Sequence, residues 1–171
     1  MQPRFVQKKN GKRLVFSETS FQKIAQILQE LQTRVKARLC VFADMNGYPI
    51  SQSGDPQRID ISSMTAVAAG TFSATAEMSK MISSEDRFQY IFHEGSKENI
   101  YLSSLGEHYL LIVLFDHSVA VGLVRLFTRH ALEKISGLMN DLEAESEKAT
   151  QFFDVEFRTL LDKELDRTFG L

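Results

Sequence analysis

Residues 88–116 read FQYIFHEGSKENIYLSSLGEHYLLIVLFD. Three runs in this stretch, Phe88–His93, Ile100–Leu105 and Tyr109–Asp116, are rich in the aromatic and aliphatic residues that suit a pleated surface. Gly95–Asn99 and Gly106–His108 separate them with hairpin-length connections, which predicts an antiparallel meander. Tyr109–Phe115 is an unbroken apolar run, the pattern of a central strand covered on both faces. Its seven residues are far fewer than the roughly 20 needed to span a bilayer.

Upstream, Phe21, Ile24, Ile27, Leu28, Leu31 and Val35 recur at helical spacing, which predicts a helix from about Glu18 to Lys36, with Thr19 and Gln22 placed as a capping box. Leu39–Ala43 and Tyr48–Gln52 then read as two strands joined across Asp44–Gly47, whose Asn-Gly pair favours a tight hairpin. Asp60 is placed to cap a second helix running to about Met81. That helix is small-sided, with Ala66, Ala68, Ala69, Gly70, Ser73, Ala74 and Ala76. Gly70 in mid-helix costs about 1 kcal/mol relative to Ala, which points to a close contact there, inside the protomer or outside it. Downstream of the meander, a last helix is expected from Ser118 to roughly Glu147. The order α-β-β-α-β-β-β-α predicts an α+β domain, a five-stranded antiparallel sheet flanked by helices. Exposed sheet edges need covering, and self-pairing across one of them would do that.

The 171 residues suit one such domain with a tail at each end: a flexible basic arm over 1–13, the domain over 14–147, and a linker with an amphipathic segment over 148–171. The arm holds Arg4, Lys8, Lys9, Lys12 and Arg13 without an acid, yet no basic face continues through the middle of the chain, which argues against nucleic acid as a partner. The final segment spaces Phe153, Phe157, Leu161, Leu165 and Phe169 four apart among acidic residues. With one cysteine, Cys40, an internal disulfide is excluded, and a soluble cytoplasmic protein without membrane insertion is expected.

No constellation for catalysis stands out. There is no phosphate-binding glycine loop, no GxSxG elbow and no metal-ligand spacing among His93, His108, His117 and His130. Cys40 sits in an apolar strand as an inert thiol. The expectation is a non-enzymatic interaction domain with no catalytic residues, metal or cofactor.

Five runs then carry a resemblance: DMNGYPIS (44–51), IDISSMTAVAAGT (59–71), FHEGSKENIY (92–101), LLIVLFDHS (110–118) and GLVRL (122–126). In this order and spacing the chain resembles the roadblock/dynein light chain family, and within it the bacterial MglB branch. That branch regulates the small Ras-like GTPase MglA in cell polarity and gliding motility. DKELDRTF (162–169) is similar to the acidic terminal helix of the same branch. The resemblance implies a roadblock-like fold that dimerises into a continuous sheet, two second helices side by side as a platform for one GTPase, and stimulation of GTP hydrolysis without an arginine supplied in trans. The platform positions would be Gly70, Ser73, Ala74 and Glu77, with Leu161, Leu165 and Phe169 as a second contact. Glu77 departs from the small residue usual there, and Lys80 is spaced to neutralise it. A roadblock scaffold or nucleotide-exchange partner, binding a GTPase without accelerating hydrolysis, is the alternative.

Overall fold

The computed structural model describes residues 6–9, 12–15, 18–82 and 88–142. In chain order the elements are β1 (Val6–Lys9), β2 (Lys12–Val15), α1 (Glu18–Arg34), β3 (Leu39–Asp44), β4 (Pro49–Gly54), α2 (Ile61–Ile82), β5 (Tyr90–Glu94), β6 (Glu98–Leu105) and β7 (Tyr109–Asp116). They are followed by α3 over 121–142. The predicted α+β architecture is present: β4-β3-β7-β6-β5 form one sheet in that spatial order, antiparallel at every pairing.

β7 lies at the centre, and its alternate residues serve two different cores. Tyr109, Leu111, Val113 and Phe115 point to one face, where Ile24, Leu28, Leu31 and Val35 of the α1 region and Val124, Leu132 and Ile135 of α3 cover them. Leu110, Ile112 and Leu114 point to the other face, where Ala68, Ala69 and Phe72 of α2 cover them. Two helices on one side and one on the other make three layers. Arg38 ties the sheet together near one end of β3, its Nη1 donating to both Glu98 carboxylate oxygens at 2.7 and 2.6 Å across the intervening β7.

The β3–β4 turn is built around Asp44. Its buried carboxylate accepts from the backbone N–H groups of Asn46 (2.9 Å) and Tyr48 (2.8 Å). Gly47 follows with φ +88°. A Cβ there would also lie 2.6 Å from the Cα of Ala66 on α2, so the glycine is demanded twice, by its backbone and by its neighbour. Thr65 of α2 donates its hydroxyl to the Gly47 carbonyl at 2.5 Å. Turn and helix are thereby latched through small residues.

Three local features differ from the sequence expectation. Thr19 lies inside the first turn of α1, which already begins at Glu18, so it does not act as the cap. α3 begins at 121 rather than 118, because Asp116 turns back on Ser118, accepting from its N–H at 2.8 Å and its hydroxyl at 2.5 Å. This holds the Asp116 carboxyl below its ordinary range, first through the Ser118 hydroxyl. β1, within the basic arm, pairs antiparallel with β2, which runs on to Val15 across the expected boundary at 13, with Lys8 opposite Arg13 and Lys9 opposite Lys12. Asn10-Gly11 separates the two strands in sequence, the same pair that marks the later hairpin.

Gly47→Ala is expected to lower stability by about 1–3 kcal/mol from backbone strain alone, with Ala66 displaced as well; urea denaturation followed by circular dichroism measures it. Cys40 is fully buried in β3, and burial pushes its thiol up to about 12. It is therefore expected to stay unreactive to an aromatic disulfide reagent at pH 8 and to react once denaturant is added.

Candidate functional site

Asp60 starts α2 as expected, accepting from the Ser62 N–H at 3.1 Å and the Ser63 hydroxyl at 2.6 Å. The Ser63 hydroxyl is the main reason its carboxyl lies below the ordinary range. About six turns of helix follow, and their inward side is small: Thr65, Ala68 and Ala69 lie buried beside Phe72. Small inward residues bring the helix backbone close to the β3–β4 turn.

The outward side has a different character. Gly70, Ser73, Ala74 and Glu77 all lie exposed, and their spacing of three, one and three places them on one helical face. Around them stand Val67 at 70% exposure and Met81 at 84%, with Met78 and Ile82 also exposed. A Cβ on Gly70 would meet nothing within 4 Å. Close packing inside the protomer therefore does not account for this glycine. The Ser73 hydroxyl donates back to the Ala69 carbonyl at 3.1 Å, which leaves the face flat. Glu77 pairs with Lys80 at 2.7 Å, the neutralisation expected from their spacing. Both side chains are about two-thirds exposed, so the pair adds little to stability.

A second apolar exposure lies at the sheet edge. β4, on one edge, carries Pro49, Ser51, Gln52 and Ser53, and a register shift between Phe42 and Ala43 interrupts its pairing with β3. Proline, polar side chains and irregular pairing blunt an edge. β5, on the other edge, has neither a proline nor a bulge in its pairing with β6. It exposes Tyr90 and Phe92, and Phe88 just before it is exposed too. Tyr90 stacks on Tyr101 at 5.4 Å and Phe92 on Phe115 at 6.3 Å between ring centroids.

The Roadblock/LC7 domain model matches residues 23–115. The structure is similar to that of Myxococcus xanthus MglB, at 33% sequence identity and a TM-score of 0.70, covering 75% of this chain and 96% of that one. The chain belongs to the Roadblock/LC7 family. It is also similar to the gliding protein MglB from Thermus thermophilus, at 25% identity and a TM-score of 0.69, covering 75% of this chain and 96% of that one. A Roadblock/LC7 domain from Streptomyces avermitilis shares the fold at 16% identity and a TM-score of 0.62, covering 67% of this chain and 96% of that one. No curated protein matched.

In this roadblock domain, then, the four α2 positions named from sequence come together on one exposed face. Leu161, Leu165 and Phe169 lie outside the described residues. The exposure of the edge aromatics was not anticipated, although the alternation of Phe88, Tyr90 and Phe92 was there to be read. Among the described residues no group of three or more His, Cys, Asp or Glu could hold a metal. Nor is any described helix long and apolar enough to cross a membrane. Gly70→Ala is expected to stabilise the protomer by about 0.5–1 kcal/mol, because the methyl enters open space and the unfolded chain loses freedom. Thermal unfolding checks it; a lower melting temperature would mean that the glycine serves the protomer itself.

Proposed function

We propose that this roadblock protein is a regulator of a Ras-like small GTPase, acting as a homodimer that binds the GTP-bound partner and stimulates hydrolysis. The observation that carries the reading is the outward face of α2, where Gly70 has no packing obligation and Val67 and Met81 stand in solvent. Apolar surface of this kind marks contact with another chain. The similarity to MglB of M. xanthus supports a GTPase as that chain. The unblunted edge of β5 supports self-pairing there, which would extend the sheet and bring two copies of α2 onto a shared surface.

The chemistry belongs to the partner. An arginine supplied in trans is worth about 10³–10⁵ in rate in other GTPases, but α2 from Ile61 to Ile82 has no arginine. Arg58 lies in the turn before it, and Arg87 falls outside the described residues. A face of small, flat residues suits a different action: it holds the partner's own switch loops where their groups meet the charge developing on the transferred phosphoryl. Leu161, Leu165 and Phe169 would supply a second contact.

One observation favours the alternative, a scaffold or exchange partner. Glu77 places a carboxylate beside the small residues Gly70, Ser73 and Ala74, held next to Lys80. A partner must either meet that pair with its own charge or stand off from it.

Single-turnover phosphate release from an MglA-like GTPase separates the two. Activation is expected to saturate near two copies per GTPase. Ser73→Arg is expected to leave folding intact, because the position is exposed. It should weaken partner binding about a hundredfold or more, since an unpaired charge buried at an interface costs about 3–5 kcal/mol. Normal stimulation by the arginine variant would remove α2 from the contact. Binding without acceleration would leave the scaffold.

A further inference from the structure

On the sheet face that α1 and α3 share, the two helices do not cover everything. An open groove of about 680 Å³ runs between α3 and the β5–β6 end of the sheet. Tyr90, Tyr101 and Leu105 line its sheet side, and Arg125, Leu126 and Arg129 its helix side. Leu126 is 52% exposed, and Tyr90 stands partly in solvent. Arg125 holds its guanidinium 4.6 Å above the Tyr90 ring. Among the described residues it makes no ion pair with a carboxylate. Groove-lining positions on α3 run from Gly122 to Ser136, about 21 Å of helix.

We propose that this groove is the docking site of the chain's own segment Phe153–Phe169 in the partner-free protein. Three features select this occupant. The first is pattern: Phe153, Phe157, Leu161, Leu165 and Phe169 recur every four residues, and as a helix they would form an apolar ridge about 24 Å long, winding about 160° round the axis and close in length to the groove. The second is charge. The segment carries five acids (Asp154, Glu156, Asp162, Glu164 and Asp166) against three bases, while the groove offers Arg125 and Arg129 against one acid, Glu133, which lies 3.8 Å from Arg129 and leaves Arg125 as its unpaired cation among the described residues. The third is reach. Ten residues, 143–152, separate the last described residue of α3 from Phe153. They can span about 33 Å, more than enough to turn back alongside the helix.

Docking of this kind belongs to the free protein and does not depend on the GTPase reading. If that reading also holds, Leu161, Leu165 and Phe169 cannot serve groove and partner at once, and the groove becomes a competitor for the tail.

The chain has no tryptophan, so a single one reports cleanly. In the full-length Phe157→Trp protein, emission is expected to be blue-shifted and several-fold less quenched by acrylamide than in the denatured chain. Adding Leu126→Asp, at a half-exposed position that leaves the fold intact by circular dichroism, should shift emission to the red and restore quenching. Raising the salt concentration should act in the same direction, though more weakly. An exposed indole in the Phe157→Trp protein, or a buried one indifferent to Leu126→Asp, overturns the proposal. A blue shift lost on hundredfold dilution overturns it too, because the occupant would then be the tail of a second copy.

Discussion

The structure depends on one requirement, that β7 be covered from both sides. A strand of seven consecutive apolar residues has no wet face, so one helix layer cannot satisfy it. The chain divides its helices accordingly, α1 and α3 against the odd positions from Tyr109 to Phe115 and α2 against the even ones. Central placement follows from the same need, since only an interior strand is shielded along both edges, here by β3 and β6. Each further feature, including the exposed back of α2, is then a matter of what lies beyond those first covering layers.

The two covering layers leave different surfaces. α2 places small residues inward, where Ala68 and Ala69 let it settle close to the sheet, and again outward, where Gly70 and Ala74 keep it flat. The α1–α3 layer is bulkier but stops short of β5, which leaves Tyr90 and Tyr101 along an open groove. Burial pushes the Tyr101 phenol up to about 12, although Arg125 pulls the other way. One layer therefore presents a flat face and the other a furrow. The β5 edge, with its exposed aromatics, lies between them.

The order of elements from α1 onward, the five strands of the main sheet and the central position of β7 were legible because they rest on patterns of neighbouring residues, and such patterns are local. The Asn46-Gly47 turn was legible for the same reason. The β1–β2 hairpin was not, although Asn10-Gly11 carries the same signal, because charge dominates its flanks and hides the alternation. The start of α3 was misplaced by three residues, since Asp116 and Ser118 satisfy each other before the helix begins. At the candidate site, grouping Gly70, Ser73, Ala74 and Glu77 needed only helical spacing. Their exposure did not follow from spacing, because small residues occupy both sides of α2. Neither did the groove, which is made by elements far apart in sequence, with Tyr90 and Leu105 meeting Leu126 and Arg129 only after the sheet has formed.

A sheet that is apolar on both sides also acts as a partition. Among the described residues the buried side chains of α2 fall in one core cluster and those of α1 and α3 in the other, with the sheet between them. Substitutions can therefore accumulate on one face without repacking the other. A lineage could exchange its partner on the α2 side while the grooved side stays as it was, or the reverse. One short strand thus gives a small domain two surfaces that are free to evolve separately.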